Sequence, residues 1–349
     1  MSDFKINSIA TKQGQHGPVI AGVSTINSTG CMKIPSGPTE FRGGRGRGVV
    51  VGGSEASPVG TVNTMEFIEI ATTGNATDFG DFNQSPYFGG TGFASATRGL
   101  FAGGYNPTAG ITDIGFFTFS SSGGANDFGD MTFRRYYPFS PSDSTRGLIS
   151  GGKSNPVNVN LNSIEFVTMA STGDASEFGD MTDKRNWGAS VNSPTRGLFG
   201  GGRPLASNNS TYTNVIDFVT IQSRGDALEF GNLVAAGGAM DGCSSTTRGL
   251  WGGIYPGSFT NRIDFVTMAT FGNASDFGDL SRTVFGAGGM SNSIRGVWAG
   301  GQNPGNDPGM NIIDFVTIAT TGNASDFGDL TAARGYVKGC ADSHGGIGE

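Results

Sequence analysis

The feature that most constrains this chain is a short phrase, at its fullest Thr-Arg-Gly-Leu-Phe-Gly-Gly in residues 195–201, repeated along most of the length. Its arginines are Arg47, Arg98, Arg146, Arg196, Arg248 and Arg295, spaced 51, 48, 50, 52 and 47 residues apart. A second phrase follows each copy: an apolar run, then a turn ending in Asp-Phe-Gly-Asp or a close variant. Its phenylalanines are Phe79, Phe128, Phe178, Phe230, Phe277 and Phe327. A unit of about fifty residues with several strands cannot bury its own apolar faces. It must stack on its neighbours, as in a propeller or a strand array.

One period parses into four strands. In 185–233, residues 187–191 read as the first strand and 192–195 as a turn. Residues 196–200 read as the second, ended by Gly201-Gly202; 215–221 are the third, and a short fourth runs to Phe230. The third is apolar on both faces, as expected of a strand held between neighbouring sheets. The first strands are rich in small residues, as at 236–239 and 286–289, which suits an innermost strand crowded round an axis. Residues 334–343 read as one more first strand with no second strand after it, whereas the repeat at Arg47 begins with its second strand. The C-terminal strand is therefore expected to complete the first blade and close a ring, which removes free sheet edges. The expected fold is all-β: a six-bladed propeller over 41–349, preceded by an extended arm over 1–40. Within the arm, 19–26 and 31–34 read as a hairpin too small to stand alone, so it needs a surface to lie on.

Composition narrows the function. Gly is 61 of 349 residues with no period of three, which excludes collagen, and 26 Phe at fixed places argue against simple disorder. A net charge of −7 argues against nucleic acid as a partner. Cys31, Cys243 and Cys340 make no disulfide framework, and His16 and His344 are too few for a zinc or copper set. The opening residues lack the apolar core of a signal peptide, and no stretch approaches the ~20 apolar residues of a spanning helix. Synthesis in a cytoplasm without membrane insertion is the expectation. The glycine runs precede no helix and no Gly-Lys-Ser/Thr, so they are not phosphate cradles. The turn Gly-Asn-Ala-Ser-Asp-Phe-Gly-Asp lacks calcium-loop spacing; it is expected to be a turn whose Asn or Asp bonds its own backbone. No catalytic residue, cofactor or metal is predicted.

The six arginines invite reading as an anion-binding ring. An active site is needed once, so sixfold repetition favours structure: each Arg is expected to pair with a carboxylate of its own or the adjoining blade. The candidates are Glu66, Glu165, Asp217, Asp264 and Asp314 in the third strands, where the second repeat has Gly115. The others are the turn acids Asp78, Asp127, Glu177, Glu229, Asp276 and Asp326. The repeats differ most between strands two and three, at 54–63, 105–112, 153–163, 203–214, 254–262 and 302–311. Loops on a rigid scaffold commonly carry recognition, so Tyr105, Arg203, Tyr212, Tyr255, Phe259 and Arg262 are the candidate rim contacts.

The pattern Gly-Ala-Ser, Gly-Leu-Phe-Gly-Gly, a β strand and Gly-x-x-x-x-Phe resembles the kelch repeat across 41–349. It departs in using Phe where many kelch repeats have Trp, and in its regular Thr-Arg-Gly. The wording is similar to repeat proteins of tailed phages of marine bacteria, including cyanobacteria, and residues 17–23 and 43–48 resemble the leader of those virion proteins. The resemblance implies a non-enzymatic virion protein made in the host cytoplasm. Residues 1–40 would dock on other virion proteins, with room for a homo-oligomer, and the propeller rim would bind a partner or a cell-surface glycan. A purely structural decoration or connector protein is the runner-up. A glycan-degrading propeller is the third reading, although no carboxylate pair stands out from the repeated acids.

Overall fold

The structure is a computed structural model that describes residues 46–343 except 56–59, 84–87, 106–109, 155, 156, 158, 205–210 and 304–308. The arm read over 1–40 lies outside the described residues. Every regular element among the described residues is a β-strand.

In chain order the strands begin with β1 (Arg47–Val51), β2 (Thr64–Glu69) and β3 (Thr77–Asp81). The second repeat supplies β4 (Thr91–Ala94), β5 (Arg98–Ala102), β6 (Asp113–Thr118) and β7 (Asn126–Asp130). The third supplies β8 (Arg135–Tyr136), β9 (Arg146–Ser150), β10 (Lys153–Ser154), β11 (Val159–Asn160), β12 (Ser163–Thr168) and β13 (Ser176–Asp180). The fourth has β14 (Ala189–Asn192), β15 (Arg196–Gly200), β16 (Val215–Thr220) and β17 (Leu228–Asn232). The fifth has β18 (Asp241–Ser244), β19 (Arg248–Gly252), β20 (Arg262–Thr267) and β21 (Ser275–Asp279). The last has β22 (Gly288–Ser291), β23 (Arg295–Ala299), β24 (Met310–Thr317) and β25 (Ser325–Arg334), followed by β26 (Lys338–Ala341).

Five antiparallel sheets are four-stranded: β26-β1-β2-β3, β4-β5-β6-β7, β14-β15-β16-β17, β18-β19-β20-β21 and β22-β23-β24-β25. The C-terminal β26 thus lies beside β1, Val49 opposite Cys340. The third repeat is the exception, with a three-stranded sheet β9-β12-β13 and a small sheet β8-β10-β11. Its innermost segment carries Pro138 and Pro141, which have no N–H to donate. Only isolated bridges survive there, Phe139 with Ser150 and Ser142 with Gly147.

The core lies between consecutive sheets as six clusters of buried side chains among the described residues, including one that joins the sixth sheet (Val297, Ile313, Phe327) to the first (Val50, Ile68, Ile70). Each repeated Phe is buried in such a cluster and meets the third-strand Phe of its own sheet edge-on, as Phe277 does Phe265 at 5.7 Å. The carbonyl of each repeated Phe accepts a bond from the turn glycine of the next sheet, from Gly123 N to Phe79 O (2.8 Å) through to Gly74 N to Phe327 O (2.9 Å). The glycine after each Phe makes that approach possible. A Cβ on Gly278 would stand 2.5 Å from the Gly322 carbonyl oxygen, and one on Gly328 2.4 Å from that of Gly74.

The turn Asx side chains also reach across rather than back. Asp174 accepts from Asp130 N, Asp226 from Asp180 N, Asn273 from Asn232 N, Asn323 from Asp279 N and Asn75 from Asp329 N, each at 3.0–3.1 Å. The expected bond to the turn's own backbone is therefore corrected. Pressed against the preceding sheet, these side chains find a strand-four N–H there.

Candidate functional site

The repeated arginines stand at the start of each second strand, half-buried, with their guanidinium carbons 4.5–5.6 Å from the centre of the third-strand Phe ring. Each Nη1 donates to the carbonyl just after the third strand of the next sheet. Arg98 reaches Met169 O (3.1 Å), Arg248 reaches Ile318 O (3.0 Å) and Arg295 reaches Ile70 O (3.1 Å). Arg146, Arg196 and Arg47 reach Ile221, Met268 and Phe119 in the same way. Among the described residues the expected carboxylate pairing is overturned for five of the six, and only Arg47 has one, to the half-exposed Glu69. A flat cation between a ring face and a carbonyl is already satisfied, so it needs no acid. The turn acids, expected as the other partners, point to solvent.

Four of the five third-strand acids belong to a different set of arginines, met between the end of the fourth strand of one sheet and the second strand of the next, and the fifth, Asp264, to Arg262 of its own strand. Arg185 is buried and donates to Gly201 O, Val215 O and, at 2.6 Å, Asp217. Arg135 does the same with Gly151 O, Ser163 O and Glu165, whereas Arg334 donates to Gly52 O and Thr64 O and stands 2.9 Å from Glu66 as an ion pair. Burial pulls the Arg135 and Arg185 guanidiniums down from their ordinary value, and the paired carboxylates oppose this. The acids also accept from the preceding sheet, as Asp217 does from Thr182 (2.7 Å). In the sixth sheet Arg282 takes the role with Asp314 at 2.6 Å. In the fifth, Arg262 pairs with Asp264 at 2.7 Å, although burial raises the Asp264 carboxyl. Arg262, a candidate rim contact, is thus engaged in a staple. In the second sheet Gly115 takes the place of the acid, and a Cβ there would meet the Phe82 ring at 2.5 Å. These groups hold sheets together and present no cluster for chemistry. Among the described residues no group of acids, His and Cys could hold a metal ion.

The other rim candidates do converge, on one end of the sheets. Tyr105 meets Phe88 at 5.6 Å and Tyr136 at 5.7 Å. Arg203 lies 4.0 Å over the Trp187 ring and donates to the Tyr212 hydroxyl at 2.6 Å. Tyr212 meets Tyr255 at 5.9 Å, and Tyr255 meets Phe259 and Phe285. The circuit returns through Tyr336, which touches both Phe285 (5.5 Å) and Phe88 (6.2 Å), while Tyr137 joins Phe88 to Trp187. The members that sequence reading missed, Phe88, Tyr137, Trp187, Phe285 and Tyr336, stand at the start of the innermost strands. Aligning the repeats shows the signal: Tyr137, Trp187 and Tyr336 fill a slot held elsewhere by Gly89, Ala239 and Gly286.

Beneath this end the inner strands leave little space. Thr91, Ser140 and Ser190 place hydroxyls there beside the Lys338–Asp241 ion pair at 3.2 Å, and the room is about 10 Å³, enough for about one water. In comparisons with known proteins, no family model and no curated protein matches this chain.

Proposed function

We propose that the six repeats are the blades of a closed six-bladed, kelch-like propeller, with β26 and β1 as the seam. On this reading the aromatic end is a non-enzymatic binding face for a cell-surface glycan, and the chain is a virion component carried on the particle by residues 1–40. One observation carries the binding assignment. Most of the charged groups repeated through the sheets are consumed in bonds between sheets, whereas the half-buried aromatic rings with Arg203 and Lys338 gather at a single end. Aromatic faces with a few fixed polar groups on a rigid body suit sugar rings, which are apolar on their faces and polar at their edges.

Two measurements test it. The full chain applied to an array of surface polysaccharides from candidate hosts should bind a subset, and binding to none of them would remove the glycan assignment. Gold-labelled antibody on purified particles should mark the tail or its fibres. Label confined to head or neck would favour a decoration or connector role, and absence of label from all particles would remove the virion assignment.

A further inference from the structure

Four non-glycine residues among those described have positive φ: Tyr137 (55°), Trp187 (65°), Ala239 (53°) and Tyr336 (56°). All occupy the same slot in successive repeats, and the other two copies are Gly89 (68°) and Gly286 (65°). The cause is local. In this conformation the slot's N–H donates to the slot carbonyl of the preceding repeat: Tyr137 to Gly89, Trp187 to Tyr137, Ala239 to Trp187 and Gly286 to Ala239, at 2.5–3.1 Å. Glycine meets that requirement without strain, so three large aromatics are the expensive choice. None of the three is sealed wholly in the core, since each keeps part of its surface exposed. The six slot residues together line one shallow mouth, with Pro138, Gly188, Met240 and Lys338; its own room is about 10 Å³, so a ligand can rest on it but not enter it.

We propose that this mouth is a subsite for a single pyranose ring bearing a carboxylate, such as a hexuronic acid; this rests on the reading of the aromatic end as a glycan-binding face. Shape gives the first argument. The Tyr137 ring lies against Gly89 and the Tyr336 ring against Gly286, so ring and backbone form a dish. The axis below is too narrow to thread, which leaves a ligand to lie flat across it. Charge gives the second. The Lys338 ammonium and the Arg203 guanidinium stand at the mouth, and Asp241, the one acid among the residues lining the mouth and the space beneath it, is paired with Lys338. Among the described residues at the mouth and beneath it, the two cations Lys338 and Arg203 face the single acid Asp241, which disfavours a quaternary ammonium in the same dish. Burial and the neighbouring Tyr336 and Tyr136 push the Tyr137 phenol up, so it stays a hydrogen-bond donor at neutral pH.

The chain carries its own reporter. Of its three tryptophans, Trp251 and Trp298 are fully buried and Trp187 is partly exposed at the mouth. Tryptophan fluorescence of the full chain, titrated with glucuronate, methyl glucopyranoside and choline, should show a saturable change with glucuronate. Lys338→Met and Tyr336→Gly should each weaken it by about tenfold or more (~1.4 kcal/mol). Tyr336→Gly should leave the melting temperature unchanged or raised, because it relieves a positive φ, whereas a merely structural Tyr336 would lower it. Equal response to glucuronate and the neutral glycoside would overturn the carboxylate assignment, and a stronger response to choline would overturn the sugar. No response to any sugar, with array binding intact, would overturn this subsite and leave the face as the glycan site. Loss of both would overturn the two together.

Discussion

Two kinds of arginine recur in this chain, and their chemistry differs although their side chains do not. The Thr-Arg-Gly arginines lie on phenylalanine faces and bond a carbonyl of the next sheet. The connection arginines are buried against a carboxylate and two carbonyls. The sixfold set was legible in the sequence as structural, but its partners were not, because spacing along the chain carries no distance between chain segments. The second set was hidden by irregularity. Arg135, Arg185 and Arg334 each stand seven residues after the repeated Phe, but the other repeats have Pro86, Gly237 and Val284 there. The second repeat held the clue, since Gly115 and Pro86 replace acid and arginine together. Truncating one partner of a buried pair strands the other charge. Asp217→Ala should therefore lower unfolding free energy by about 3–5 kcal/mol in urea melts. Replacing both, as in Arg185→Met with Asp217→Leu, should cost distinctly less. Equal losses for the single and double variants would mean that the bond itself, rather than the stranded charge, dominates. The second sheet already shows the apolar solution, with the Phe82 ring where an acid would stand.

At the scale of the element, the second and third strands fell where hydrophobic pattern placed them, Arg196–Gly200 and Val215–Thr220 against readings of 196–200 and 215–221. The first strand did not. It runs Ala189–Asn192 rather than 187–191, because the positive φ of Trp187 turns the chain before the ladder begins. That turn is set by a hydrogen bond to another sheet, which local propensity does not contain. The same limit hid the aromatic end, whose rings come from two loop systems that meet only when sheets stack. A turn glycine and a Phe-Gly glycine separate two causes of glycine's use. Gly322 has φ of 155° with open space at its Cβ position, whereas Gly278 has φ of 144° and the Gly322 carbonyl 2.5 Å away. Gly322→Ala should cost about 1–3 kcal/mol from backbone strain alone. Gly278→Ala adds overpacking of about 1–3 kcal/mol. Thermal melts that rank Gly322→Ala as the worse variant would contradict the close approach between the sheets.

At the scale of the molecule, the first and last described strands, β1 and β26, meet in one sheet, and contacts there repeat those seen elsewhere between strands. Asp342 accepts from Arg47 N (2.9 Å), as Ser193 does from Arg196 N (3.1 Å) within the fourth sheet. Arg334 forms an ion pair with Glu66 across 268 positions of sequence, as Arg185 does with Asp217 across 32. Sequence distance is thus irrelevant to the bond but not to the entropy of forming it. Joining β26 to β1 fixes a loop of nearly the whole chain, and by loop-closure scaling that costs only a little more than a loop half as long. The seam is therefore expected to be as strong as any other junction once made, and to be the last made. Deleting residues 335–349 removes β26, bares the long edge of β1 and uncovers Val49 and Val50, which are fully buried in the intact chain. The truncated chain should melt well below the full one and aggregate on concentration. A synthetic peptide of residues 335–349 added in excess should restore much of the lost melting temperature, by binding the folded form alone. A peptide that repeats the sequence in scrambled order should not. Normal melting and solubility of the truncated chain without peptide would show that the first sheet is complete without β26, and the closed ring would fall with it.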